Sequence, residues 1–179
     1  MSASQASAPA EAGSGPILIG LGANLPSLAG PPRATLEAAL ARFPDFGLTV
    51  LARSSWYRTT PVPASDQPLF VNGVALVGAS LPPLEALAAL LAIERAFGRE
   101  RSVANAARSL DLDLLAYGAL MMTSPALTLP HPRMTDRLFV MAPLAELAPD
   151  WRHPESGARA DALLAACRAA AGPDRVERL

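Results

Sequence analysis

Hydrophobic positions along this chain follow two different periods. Ile17-Leu18-Ile19 is a short unbroken apolar run ahead of Gly20-Leu21-Gly22, which predicts a buried first strand from Pro16 that ends in glycine turns. From Ala34 to Phe43 the apolar residues Leu36, Ala39, Leu40 and Phe43 recur at helical spacing, predicting a first helix that stops before Pro44. Leu48 to Tyr57 reads as a second strand. A proline-rich loop, Thr59-Thr60-Pro61-Val62-Pro63 through Pro68, leads into a third strand from Leu69 to Val77. Leu84, Leu87, Leu91 and Glu94 return near the helical period, so a second helix is expected over Leu84 to Phe97, with Gly98 as its C-terminal stop. In Arg108-Ser109-Leu110-Asp111-Leu112-Asp113-Leu114-Leu115 two acids alternate with leucines, which predicts a fourth strand running to Tyr117-Gly118. A loop or short strand around Leu127 to His131, a helix near Phe139 to Leu147 and a last helix from about Ala158 to Ala171 complete the chain, and no internal repeat is visible. Strand, helix, strand, strand, helix, strand is the ferredoxin-like order. The expected fold is therefore α+β: a ferredoxin-like antiparallel sheet core (βαββαβ) with additional C-terminal helices.

Composition narrows the classes without choosing among them. A chain of 179 residues suits a single domain, expected over residues 16–179, after a disordered N-terminal extension, Met1 to Gly15, that lacks the apolar core of a secretory signal. Hydrophobic residues make up 51%, yet charges and prolines interrupt every apolar run before the roughly 18 residues a membrane span needs. The lone Cys167 excludes an internal disulfide and suits a reducing cytoplasm; in its alanine-rich helical setting it reads as a small buried apolar residue. A net charge of −1 gives no reason to expect nucleic acid or an anionic membrane as partner, and no obligate protein partner is evident. All 15 basic residues are arginine. Without lysine there is no P-loop and no Schiff-base chemistry, so a bound phosphate must be held by arginine, a metal or backbone amides.

Several segments carry candidate chemistry. Asp111 and Asp113, at i and i+2 of a strand, share one face about 7 Å apart. Mg²⁺ commonly takes one or two carboxylates and lets substrate phosphates complete its octahedron, so this pair is the candidate metal site. Taken alone, the same alternation also suits a half-buried strand with its polar side in water. Arg99, Arg101 and Arg108 bracket the segment Ser102 to Ala107 just before the acids, and guanidinium forks facing a metal would neutralise a polyphosphate. His131, followed by Arg133 and Arg137, could hydrogen-bond a phosphate without serving as a base. Gly20-Leu21-Gly22-Ala23-Asn24-Leu25 lacks the third glycine and the ribose acid of a dinucleotide site, so a tight turn in which Asn24 caps or lines a site is expected instead. Trp56-Tyr57-Arg58-Thr59-Thr60-Pro61 with Phe70-Val71-Asn72 offers aromatic faces, an amide and a stiffened loop, which suit a flat heteroaromatic ring. Residue chemistry alone supports a metal-dependent phosphoryl-transfer enzyme. It leaves open another Mg²⁺-dependent transferase acting on nucleotides or nucleotide-sugars, and a non-catalytic ferredoxin-like module that senses a small molecule.

Taken in order, these motifs resemble the 6-hydroxymethyl-7,8-dihydropterin pyrophosphokinase family, from about Ile17 to Trp151. The resemblance rests on Gly20 to Leu25, Ser55 to Pro61, Gln67-Pro68 with Phe70-Val71-Asn72, Ile93-Glu94 with Gly98-Arg99 and Arg101, Arg108 to Asp113, and Leu129-Pro130-His131 with Arg137 and Phe139. It implies a ferredoxin-like fold and Mg²⁺-dependent diphosphate transfer from ATP to a pterin alcohol in folate biosynthesis, with AMP released. On these positions it implies that Asp111 and Asp113 hold a pair of Mg²⁺ ions, and that Arg99, Arg101, Arg108, His131 and Arg137 contact the triphosphate. Glu94, Leu114 and Thr128 would lie by the nucleoside. Thr59, Phe70, Asn72 and Phe139 would form the pterin pocket, the ring held between the two phenylalanines. Asp111, Asp113, Arg99 and Arg108 would carry the catalysis. Some family members carry a tryptophan and a Gly-Pro pair where this chain has Ala106-Ala107.

Overall fold

In this computed structural model the described residues are 15–99, 107–171 and 175–179. The expected N-terminal extension except its last residue, Gly15, and most of the Ser102 to Ala107 segment, with Arg101, lie outside them.

A six-stranded sheet is built from β1 (Ile17–Ala23), β2 (Leu48–Arg53), β3 (Tyr57–Thr59), β4 (Phe70–Ala79), β5 (Asp111–Tyr117) and β8 (Val176–Arg178). Its order is β5-β1-β4-β3-β8, with β2 sharing the β4 edge beside β3, and every pairing is antiparallel. This is the expected ferredoxin-like order. A separate ribbon joins β6 (Met122–Thr123) to β7 (Thr128–Leu129). Helices α1 (Pro32–Arg42) and α2 (Pro83–Ala96) begin on prolines, whose fixed φ suits the first helical turn. Helices α3 (Leu138–Leu147) and α4 (Ala160–Ala170) lie between β7 and β8 in sequence.

Each face of the sheet buries its own helix pair. Ile17, Ile19, Leu21, Leu112 and Leu114 pack with Leu36 and Ala39 of α1 and with Leu90 and Ile93 of α2. On the opposite face Leu18, Val74, Leu115 and Ala116 pack with Val140, Met141 and Leu144 of α3 and with Ala160 and Cys167 of α4. Burying side chains of this size stabilises by about 1.5–3 kcal/mol each before conformational entropy is subtracted.

Three features differ from the sequence reading. Gly20 and Gly22 are not turns: β1 runs through both to Ala23, and they lie in the ladder opposite Asp113 and Asp111. The period-2 signal around them is invisible in sequence because glycine contributes no side chain to either face. The expected second strand is two. β2 pairs the far half of β4 and β3 its near half, while Ser54 between them sends its N–H to Val74 O at 2.9 Å. Finally, α1 ends at Arg42 but the chain continues as a short 3-10 turn, Phe43–Phe46, through Pro44 to a left-handed Gly47 with φ 74°.

The acidic strand carries a bulge that positions the site. Leu18 pairs with Ala116 but Ile19 pairs with Leu114, so Leu115 is the extra residue. Asp111, Asp113, Leu115 and Ala116 thus share the α3/α4 side, while Tyr117 turns to the other and donates its hydroxyl to Leu81 O at 2.5 Å. The carbonyl of Leu115 accepts the His131 N–H at 2.8 Å, which ties the His131 segment to the strand that bears the acids.

Candidate active site

Asp111 and Asp113 open onto a cavity of about 450 Å³ lined also by Thr59, Phe70, Asn72, Arg99, Arg108, His131, Arg137 and Phe139. Ten of the residues singled out from sequence therefore meet in one cleft. They come from β3, β4, β5, the start of α3 and the connecting segments after α2, before β5 and after β7, and the antiparallel order of the sheet is what brings them to one side.

Arginines hold the acids at one end of this cleft. Arg99 Nη1 lies 2.5 Å from Asp111 Oδ1, and Arg108 Nη1 lies 2.9 Å from Oδ2 of the same carboxylate. Arg137 Nη1 stands 3.7 Å from Asp113 Oδ2. Burial pushes the Asp113 carboxyl above its ordinary range and the charge of Asp111 adds to this, against the pull of His131, Arg137 and Arg99. Two acids this close, inside an arc of guanidinium groups, favour a cation between them and anions around them.

Glu94 stands behind this pair. Its side chain is only 2% exposed, and it accepts both the Arg99 guanidinium and the Leu112 N–H, the latter at 2.8 Å. A buried carboxylate with two such donors is well satisfied. Here it fixes the strand between the two aspartates and aims Arg99 at Asp111. Leu114 likewise packs in the core under α1 and α2, and Thr128 sits in β7, away from the cavity lining. The expected placement of Glu94, Leu114 and Thr128 by a nucleoside is thus not a placement in this cleft: two of the three side chains are enclosed by protein.

The His131 ring lines the cavity with a defined orientation. Its Nδ1 accepts the Arg133 N–H at 3.1 Å, so in the neutral ring the proton sits on Nε2. Burial lowers its pKa, and Arg137 and Arg133 add to that against Asp113. A neutral donor suits the expected role of hydrogen-bonding a phosphate rather than acting as a base.

The other end of the cleft is polar at its base and aromatic at its sides. Asn72 Nδ2 donates to Thr59 Oγ1 at 2.6 Å, with both residues buried, while Phe70 and Phe139 line the cavity. Arg137 lies over the Phe139 ring at 5.4 Å from its centroid, so the ring also faces the guanidinium that reaches toward Asp113. Val62 and Pro63 of the proline-rich loop form the rim.

Other contributors differ from the sequence reading in role or went unmarked in it. Asn24 does not line the cavity; it ties three segments together. Its Nδ2 donates to Gln67 Oε1 and Pro68 O, both at 3.2 Å, its Oδ1 accepts the Arg108 N–H at 2.8 Å, and its own N–H donates to Arg108 O at 3.0 Å. The side chain is 3% exposed and holds the arginine segment and the pocket loop to the end of β1. Arg133 and Thr60, members of the expected basic and threonine-bearing motifs, also line the cavity, and so does Asp136, which only its proximity in sequence to His131 could have signalled.

The donor set suits magnesium. Among the described residues no three His, Cys, Asp or Glu side chains converge as a protein-only cage. Two carboxylates on one strand face, with glycines opposite them that leave the backbone uncovered by side chains, match an ion that keeps most of its shell for water and phosphate.

Comparison with known proteins bears on this geometry. Residues 18–149 match the profile of the 7,8-dihydro-6-hydroxymethylpterin-pyrophosphokinase family. The 2-amino-4-hydroxy-6-hydroxymethyldihydropteridine pyrophosphokinase of Synechocystis sp. is 44% identical over 141 residues, covering 78% of this chain and 70% of that protein. The Pseudomonas aeruginosa protein of the same name is 43% identical over 152 residues, covering 84% of this chain and 91% of the relative. In fold, a crystal structure of Plasmodium falciparum HPPK-DHPS superposes with a TM-score of 0.66 at 15% identity; the match covers 88% of this chain but 45% of the longer one. The matched span runs from β1 through α3 and so takes in every strand and helix that contributes to the cleft, and on sequence and fold together the chain belongs to the 7,8-dihydro-6-hydroxymethylpterin-pyrophosphokinase family.

Proposed function

We propose that this chain transfers a diphosphate from ATP to the hydroxymethyl group of 6-hydroxymethyl-7,8-dihydropterin, releasing AMP, as a step of folate biosynthesis. One observation supports this reading above the rest: an acid pair ringed by arginines and an amide-based aromatic slot open onto the same cavity. A phosphate-handling site beside a flat-ring site is what diphosphate transfer to a pterin alcohol requires.

Asp111 and Asp113 would hold the pair of Mg²⁺ ions; when bound, these would polarise the β-phosphate, ease deprotonation of the alcohol and neutralise developing charge. The protein's own groups mainly position and stabilise. Arg99, Arg108, Arg137 and the Nε2–H of His131 bind the triphosphate, with Arg101 assigned the same role from its motif. Asn72 and Thr59 satisfy the polar edge of the pterin while Phe70 and Phe139 hold its faces, so the alcohol oxygen is presented in line to the β-phosphorus and AMP departs. The family resemblance would set the nucleoside by Glu94, Leu114 and Thr128, outside the cleft that the acids and arginines line. Among the described residues no helix is long and apolar enough to cross a membrane. With near-neutral charge, the reading is a cytoplasmic enzyme acting without nucleic acid, membrane or obligate protein partner.

The test is product identity. Purified protein with Mg²⁺, ATP and the pterin alcohol should yield AMP and the pterin diphosphate in equal amounts by chromatography. Release of ADP, or of nothing, overturns the reading.

A further inference from the structure

At the last turn of α3, Glu146 gathers donors from β3, from Ser55 just ahead of it and from β8. Its Oε2 accepts the Tyr57 hydroxyl at 2.5 Å, and its Oε1 accepts the Ser55 N–H at 3.1 Å and the Ser55 hydroxyl at 2.8 Å. Arg178 of β8 approaches the same oxygen at 3.2 Å and also donates to Ser55 Oγ at 2.9 Å. Helix stability does not explain this acid. A carboxylate in a last turn faces the negative end of the helix dipole, so its position has to be justified by what it binds.

What it binds is the strand that forms one side of the pterin slot. Phe139 and Glu146 are seven residues apart on α3, hence on one stripe of the helix about 10 Å apart. Tyr57 and Thr59 are i and i+2 on β3 and share a face. Glu146 meets Tyr57 at one end of this helix-on-strand contact, and Phe139 and Thr59 line the cavity at the other. Next door, Tyr57 pairs with Asn72 and Thr59 with Phe70, while on its outer side β3 is backed by β8, Tyr57 pairing with Arg178. The spacing between the Phe139 side of the slot and the Phe70/Asn72/Thr59 side therefore depends on how α3 seats on β3.

We propose that Glu146 is a positioning residue for the pterin slot: by tying α3 to β3 through Tyr57 and Ser55, and to β8 through Arg178, it sets the gap into which the flat ring fits. The inference rests on the pterin reading of the cleft. The Tyr57 hydroxyl, raised to about 12 by burial and by Glu146, stays protonated as the donor of this tie at any working pH.

Steady-state kinetics with ATP and the pterin alcohol tests it on the full chain. Glu146→Gln should raise KM for the pterin about tenfold while KM for ATP and kcat stay within about twofold, the scale expected when charge-assisted hydrogen bonds are weakened. Tyr57→Phe, which deletes one hydroxyl and leaves the ring packing, should shift the same constant in the same direction. The double variant should be no worse than Glu146→Gln. A lowered melting temperature with unchanged pterin KM, or equal shifts in both KM values, assigns Glu146 a purely structural role and overturns the proposal. Wild-type protein that turns over normally while both variants match it also overturns it, whereas wild type that releases no AMP fails the functional reading itself.

Discussion

Gly22 and Asn72 are register partners across β1 and β4, and a methyl group on Gly22 would lie 2.7 Å from the Asn72 amide oxygen. The glycine is thus what allows Asn72 to lie flat at the base of the slot and donate to Thr59. Gly22→Ala should turn the amide away and raise the pterin KM by about tenfold, with an overpacking cost of about 1–3 kcal/mol visible in the melting temperature. Kinetics on both substrates checks it: an unchanged pterin KM would show that Asn72 does not read the ring.

Asp111→Asn and Asp113→Asn should each lower kcat by about a hundredfold or more, since removing several kcal/mol of charge stabilisation costs a factor of ten per 1.36 kcal/mol. The fold should survive Asp111→Asn, because Arg99 keeps its contact with Glu94 and the strand keeps its bond from Leu112. Turnover assays beside circular dichroism decide it, and near wild-type rates in either variant would refute the metal assignment.

Asn24 offers a sharper test of positioning. Asn24→Ala removes three side-chain hydrogen bonds from a buried residue, with an expected loss of about 1–3 kcal/mol in unfolding free energy. Asn24→Asp keeps the acceptor for Arg108 but sets a carboxylate against the Gln67 and Pro68 oxygens, so it should be no better than alanine. Chemical denaturation of the two variants distinguishes this from a role in which only the Arg108 contact matters.

His153 makes stability depend on pH. It is 8% exposed, packs edge-on against Trp151 at 5.9 Å and accepts the Ser156 N–H on Nδ1 at 3.3 Å. Burial lowers its pKa from 6.5, against a smaller upward pull from Glu155. The unfolded chain therefore takes up the proton first, so this contribution is complete above pH 6.5 and lost as pH falls below it. Thermal melts at pH 7.5 and pH 5.5 should show a smaller drop for His153→Asn, whose amide oxygen can replace Nδ1, than for wild type. Equal drops would place the pH response elsewhere.

The sequence made the site more legible than the strands that carry it. Asp111 and Asp113 declare their shared face because leucines alternate with them, and the element order follows from periods that side chains mark. Gly20 and Gly22 mark no period, so a stretch that lies in the ladder reads in sequence as a turn. Tyr57 is apolar enough to extend an expected strand from Leu48, and nothing local shows that the partner changes from one half of β4 to the other. The strands β6 and β8 span two and three residues, too short for any alternation to register. Asn24, Glu94 and Glu146 act through hydrogen bonds to partners 84, 18 and 89 positions away, and only the folded chain reveals such pairings.

The extra residue at Leu115 has a bearing on design. Anyone transplanting the acid pair into another antiparallel scaffold would need to carry this irregularity along with it. A regular strand would still show both carboxylates, but it would swing the tyrosine into the wrong layer and shift the carbonyl on which the imidazole-bearing segment is moored. The portable unit is a dislocated ribbon rather than a three-letter signature.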